Sequence, residues 1–160
     1  MNIIDTDIDR ELIDLYRGTI SSHYKRQVAM GYPPMDFYPA RNIRLPNDDE
    51  LVEIVQGVLE SQLRVKLTIK EAELQTWCVD SYSDLHVHEL REPQEDYNSL
   101  LYLNEDFDGG EFFTGNGILL RPVTGRLTFF NGKTTPHGVT PVKRNHRYTA
   151  IFWWENTHFL

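Results

Sequence analysis

Arg147-Tyr148-Thr149-Ala150-Ile151-Phe152-Trp153-Trp154 is the stretch that decides the fold. Successive side chains of a β-strand point to opposite faces. Arg147, Thr149, Ile151 and Trp153 would share one face, and Tyr148, Ala150, Phe152 and Trp154 the other. Both faces are largely apolar, which places this strand between two layers rather than at a surface. An arginine opening such a strand is costly unless an anion meets it. The guanidinium fork matches a carboxylate bidentately. The plainer alternative puts Arg147 at a fraying strand end, in water.

Working outward, short apolar runs alternate with turn signals from Leu67 onward. Strands are expected at Leu74–Val79, Leu85–Leu90, Ser99–Asn104, Gly117–Arg121, Arg126–Phe130, His137–Val142 and Arg147–Trp154. The turns between them carry Asp108-Gly109-Gly110, Gly115-Asn116-Gly117, Thr124-Gly125 and Asn131-Gly132. Many short strands at this spacing indicate an all-β sandwich, jelly roll or barrel.

The pattern before residue 65 is helical. Asp5 or Asp7 could cap a first helix carrying Ile8, Leu12, Leu15, Tyr16 and Ile20 at helical spacing. Residues 22–46 hold Pro33, Pro34, Pro39 and Pro46, which forbid one continuous helix. This stretch reads as a long loop, with Tyr32–Tyr38 as a candidate lid. Asn47-Asp48-Asp49-Glu50 resembles a capping box for a second helix. Its apolar stripe would be Leu51, Ile54, Val55, Val58, Leu59 and Leu63. The whole chain, 1–160, is expected to be one domain, with 1–65 as helical support and loop and 66–160 as the β region.

Composition narrows the function. The 160 residues carry 24 acidic and 16 basic side chains, a formal charge of −8. That balance disfavours a nucleic-acid partner, which needs a basic face. It favours a neutral or basic substrate. The single Cys78 excludes a disulfide scaffold and a Cys-rich zinc site. Met1-Asn2-Ile3-Ile4-Asp5 lacks a basic segment followed by an apolar one, and no run of about 18 apolar residues occurs. The expectation is a cytoplasmic, intracellular protein without a membrane partner.

The chemistry-bearing residues are few. His86-Val87-His88 on a strand would present both imidazoles on one face. His137, on another candidate strand, could supply a third metal ligand and leave the opposite coordination face open. Paired surface histidines are the bland reading, as exposed polar residues are for His23, His146 and His158. Tyr102, in Ser99-Leu100-Leu101-Tyr102-Leu103-Asn104, could share a buried anion with Arg147, or be an aromatic packed with its hydroxyl at the surface. Leu100, Leu119, Ile151 and Trp153 are the expected pocket walls.

Taken in order, these residues resemble an iron- and 2-oxoglutarate-dependent dioxygenase of the prolyl 4-hydroxylase type, over roughly Gln75 to Trp154. The series is His86-Val87-His88, then Leu101-Tyr102-Leu103-Asn104 leading into Asp106-Phe107-Asp108-Gly109-Gly110-Glu111-Phe112. Pro122-Val123-Thr124-Gly125-Arg126-Leu127-Thr128-Phe129-Phe130 follows, and then His137, Pro141-Val142 and Arg147 to Trp153. The resemblance implies a double-stranded β-helix, cupin-like, flanked by two helices. It implies Fe(II), 2-oxoglutarate and O2, with ascorbate as a reductant. His86 and His137 match metal histidines. Arg147 and Tyr102 match contacts to the far carboxylate of 2-oxoglutarate, and Thr149 and Trp153, on the Arg147 face, are expected to join them in binding the co-substrate. The implied reaction is hydroxylation of a C–H bond, with peptidyl proline as the substrate suggested, releasing succinate and CO2. A free small molecule is the other substrate class.

The departure is His88, where the family carries Asp. Iron oxygenases of this kind normally combine two His with one carboxylate. Asp84 or Glu89 could supply the carboxylate, and Asp84 shares strand parity with His86. His86, His88 and His137 remain the assigned metal set. A catalytically degenerate metal- or anion-binding jelly roll is the main alternative. A three-histidine dioxygenase would leave the Arg147 and Tyr102 anchor unexplained, and a carbohydrate-binding jelly roll the clustered histidines.

Overall fold

The computed structural model describes residues 1–31, 42–88 and 97–159, with side chains to residue 156. The candidate lid Tyr32–Tyr38, Glu89 and the His158 side chain lie outside the described set. In chain order the elements are β1 (Asn2–Asp5), α1 (Arg10–Ala29), β2 (Ile43–Leu45), α2 (Glu50–Leu63), β3 (Val65–Trp77) and β4 (Ser83–His86). Then come β5 (Tyr97–Tyr102), β6 (Asp108–Gly109), β7 (Phe112–Thr114), β8 (Leu119–Leu120) and β9 (Arg126–Asn131). The last are β10 (His137–Val139), β11 (Val142–Arg144) and β12 (Arg147–Phe159).

The larger sheet runs β1-β9-β5-β12-β3-β2, and the smaller runs β4-β10-β7-β8, with β11 and β6 forming a separate pair. β12 is central in the larger sheet. It pairs antiparallel with β3, from Arg147 opposite Trp77, and with β5, from Thr149 opposite Tyr102. Its two faces fulfil the alternation expected of them. Tyr148, Ala150, Phe152 and Trp154 join the main core, where Ile13 and Ile20 of α1 and Leu51, Val55 and Leu59 of α2 cover the sheet. Ile151 packs on the opposite side with Leu100, Tyr102, Phe112, Leu120 and Phe130. That second cluster fills the space between the two sheets, so the helices back one face of the larger sheet and the smaller sheet covers the other.

Several boundaries differ from expectation. Asp9 caps α1, its side chain accepting from the Glu11 N–H, because Asn2–Asp5 is drawn into β1 against β9. Asp5 is held there by Arg126, whose Nε donates at 2.8 Å and lowers the Asp5 pKa. α1 then continues to Ala29, taking in residues read as loop. Its buried positions are Ile13 and Ile20, whereas Leu15 is 64% exposed. α2 is capped by Asp49 rather than Asn47, and Arg64 closes it in the left-handed region. β3 starts at Val65, nine residues earlier than Leu74. His137–Val142 divides into β10 and β11, and Gly117–Arg121 contracts to β8. No described helix is long and apolar enough to cross a membrane.

Candidate metal and oxo-acid site

Two sheets meeting over one cavity bring the predicted residues together. β4 and β10 pair so that His86 stands opposite His137, and His88 lies two residues beyond the end of β4. One ring nitrogen from each of His86, His88 and His137 lies within 4.8 Å of the other two. His137 is buried, whereas His86 is exposed. The backbone sets two of the rings. His86 Nδ1 lies 2.7 Å from the Asp84 carbonyl oxygen, and His137 Nδ1 lies 2.7 Å from that of Thr135. A proton on each Nδ1, donated to those carbonyls, makes each Nε2 the metal-binding atom. Among the described residues no carboxylate joins the three imidazoles. Asp84, the carboxylate of matching parity, thus contributes its backbone to the arrangement and not its side chain.

His88 depends on a glycine. Its N–H donates to the Gly132 carbonyl at 2.9 Å, and a Cβ at Gly132 would collide with the His88 ring and with Asn98 Oδ1. Gly132→Ala is therefore expected to displace His88. Metal affinity should fall by about 10–100-fold, as for loss of a ligand's supporting shell. A metal titration beside a circular-dichroism melt checks this, and parental affinity would contradict it.

Arg147 does not reach water. It is 1% exposed, with its guanidinium 5.0 Å from the Trp77 ring centre and 5.5 Å from that of Tyr102. Gly110 permits this, since a Cβ there would come within 3.0 Å of Arg147 Cδ. Burial pushes the Arg147 pKa below its ordinary value. Burial likewise raises that of Tyr102, against the opposing effect of the Arg147 charge. Arg147 Nε, Tyr102 Oη and Thr149 Oγ1 are all buried and meet no hydrogen-bond partner of good geometry among the described residues. A buried guanidinium with an unsatisfied Nε, and the Tyr102 and Thr149 hydroxyls buried near it, is a poor arrangement for an apolar filling and a good one for an anion.

The histidines and Arg147 line the same cavity, of about 230 Å³. Leu100, Ile151 and Trp153 form apolar walls as expected, with Phe112 and Phe130 added. Among its described lining residues Arg147 is the one charged side chain apart from the titratable histidines, and none is acidic. Tyr102 and Thr149 are fully buried but do not appear on the cavity wall. Leu119 is corrected outright. It is 60% exposed, because in the two-residue β8 it is Leu120 that points inward. His146 is also not a free surface residue. Its ring packs 4.8 Å from Tyr24 and 6.3 Å from Tyr148, and burial lowers its pKa. Gln75, Asn98 and Ser99, polar residues of the lining, were missed. Polar side chains inside otherwise apolar strands are their only sequence signal.

A cavity with three convergent imidazoles at one place and an unneutralised guanidinium at another suits a metal chelated by an acid. The class follows: the chain belongs to the 2OG-Fe(II) oxygenase superfamily, whose model matches residues 75–155. Membership implies Fe(II) and 2-oxoglutarate, and the donors present fit both. Over short stretches the chain is also similar to prolyl 3-hydroxylases. It is 43% identical to prolyl 3-hydroxylase 2 of Mus musculus over 65 residues, 36% of this chain and 9% of that protein. It is 44% identical to prolyl 3-hydroxylase 3 of Homo sapiens over 72 residues, 39% of this chain and 10% of that protein. The chain thus matches about a tenth of the length of these curated relatives.

Solved structures extend the likeness to the whole fold. The viral collagen prolyl hydroxylase of Paramecium Bursaria Chlorella virus-1, in its 2OG complex, superposes with a TM-score of 0.71 at 17% identity, covering 98% of this chain and 96% of that one. A Pseudomonas putida prolyl-4-hydroxylase gives 0.68 at 16% identity, covering 98% and 92%. The fold shared with them is the expected double-stranded β-helix with helices on one side.

Proposed function

We propose that this chain is a 2-oxoglutarate-dependent oxygenase that hydroxylates a C–H bond of a peptidyl proline. The observation supporting this is the single cavity joining three imidazoles to a buried guanidinium that has no acidic partner among the described residues. His86, His88 and His137 would hold Fe(II). Arg147 would take the far carboxylate of 2-oxoglutarate bidentately, with the Tyr102 and Thr149 hydroxyls completing its hydrogen bonds. Trp153, with Leu100 and Ile151, would wall the cavity and exclude water. When bound, the metal and co-substrate supply O2 activation coupled to decarboxylation of 2-oxoglutarate to succinate and CO2. The protein's share is to orient those groups and keep their surroundings dry. The cavity is smaller than the ~300–1,000 Å³ of drug-sized ligand sites, which suits a five-carbon diacid with the substrate at its mouth. Ascorbate would serve as the reductant that keeps the iron in its working state.

The histidine-only donor set favours one second reading, a catalytically degenerate domain that holds metal and oxo-acid without turnover. Fe(II), O2, 2-oxoglutarate and a proline-rich peptide separate the two. Succinate release coupled to a gain of one oxygen atom in the peptide is expected. Binding of 2-oxoglutarate with no succinate, from both the protein and its His88→Asp variant, would favour the second reading.

A further inference from the structure

We propose that Asn104 is the positioning residue for Arg147, an inference that rests on the oxygenase reading above. The ladder between β5 and β12 reaches Tyr102 opposite Thr149, and one more bond follows, from the Leu103 N–H to the Tyr148 carbonyl at 3.0 Å. Beyond that point the side chain of Asn104 replaces backbone. Its Oδ1 accepts from the Tyr148 N–H at 2.8 Å, and its Nδ2 donates to the His146 carbonyl at 2.9 Å. Those two groups belong to the residues immediately before and after Arg147. One amide therefore grips the peptide on both sides of the guanidinium-bearing residue.

The grip is needed where it occurs. The chain enters β12 from a turn in which Asn145 has φ 61°, and on the β5 side the strand's regular pairing has not yet begun at Arg147. At Arg147 the strand is paired with β3 alone, opposite Trp77, and a strand end held on one side is freer to fray than one held on both. A primary amide has a carbonyl acceptor and two N–H donors on separate atoms, so it can imitate the missing peptide; an ionised carboxylate has no donor, and a hydroxyl has one donor on the same atom as its acceptor sites. The remaining donor of Asn104 is also used, bonding Asp106 Oδ1 at 2.9 Å, and Asp106 is held by Arg17 of α1 at 2.7 Å. Asn104 is 1% exposed and its bond from the Tyr148 N–H is buried, whereas the Asp106 end of the chain of contacts reaches solvent. With Gly110 against the Arg147 stem, the guanidinium is fixed from the backbone on one side and by packing on the other.

The test is calorimetric titration of Fe(II)-loaded protein with 2-oxoglutarate under argon, with Fe(II) affinity measured separately. Asn104→Ala should raise the 2-oxoglutarate Kd by about tenfold or more, as for loss of buried hydrogen bonds, while Fe(II) affinity stays near the parent's. Asn104→Asp, which keeps the shape but loses the donor, should move it the same way and serves if the alanine variant does not fold. Ile20→Ala, in the helix-backed core, measures what general destabilisation does and should leave the 2-oxoglutarate Kd unchanged. Parental 2-oxoglutarate affinity in a folded Asn104 variant, or an equal loss in Ile20→Ala, would overturn the inference. A parent protein that binds no 2-oxoglutarate would instead overturn the oxygenase reading.

Discussion

Replacing Arg147 with alanine should weaken 2-oxoglutarate binding by about 10²–10⁴-fold, the loss of two charge-assisted hydrogen bonds of ~1.5–3 kcal/mol each. Metal affinity should stay within a few-fold, because Arg147 is not among the three residues that cluster as metal donors. Calorimetry with each ligand separates the effects, and equal 2-oxoglutarate affinity in variant and parent would refute the anchor. A companion substitution checks the same physics from the other side. Arg147 pays a desolvation cost with no carboxylate partner among the described residues. Arg147→Met keeps the length of the stem beneath Trp77 and Tyr102 and removes that cost. The ligand-free variant should unfold at a temperature equal to or above the parent's, yet gain no stability from added 2-oxoglutarate.

His137→Ala should abolish measurable metal binding at concentrations that saturate the parent. The loss should exceed the ~10–100-fold typical of losing an outer-shell partner, since a direct donor is removed. His137 is the buried member of the three and sits on the strand flanked by β4 and β7, and among the described residues no fourth donor joins the cluster to replace it. A competition titration with a chromogenic chelator measures this. Retained affinity would show that the ion is held elsewhere. Because a chelating oxo-acid needs the ion, the variant should also lose most of its affinity for 2-oxoglutarate, whereas Arg147→Ala should lose that affinity alone.

The parts legible in the sequence were those with a local signature. Alternation along Arg147–Trp154 gave a strand buried on both faces, and the structure places Phe152 and Trp154 in one core and Ile151 in the other. The spacing of His86 and His88 indicated shared direction, and their rings lie near-parallel at 25° with centres 6.0 Å apart. What escaped was defined by distant partners. β1 and β2 are edge strands of four and three residues whose existence depends on β9 and β3. The second half of α1 buries little after Ile20, so its sequence carries almost no apolar stripe to read. Val65-Lys66-Leu67-Thr68-Ile69-Lys70 does alternate, and that signal for an early start of β3 went unused. Asn104 and Gly132 were seen only as a strand end and a turn. Their significance lies in what they touch, across 42 to 44 residues in one case and 44 in the other, and no local pattern carries that.

The alternation along β12 assigns folding and chemistry to different registers of one strand. Tyr148, Ala150, Phe152 and Trp154 face the helix-backed core, while Arg147, Ile151 and Trp153 line the cavity. A scan of residues 150–154 should therefore switch with every step between variants that fail to accumulate and variants that accumulate but bind poorly. For a lineage under selection this is an economical layout: new ligand preferences can be explored at odd-numbered positions without eroding the foundation on which the barrel assembles.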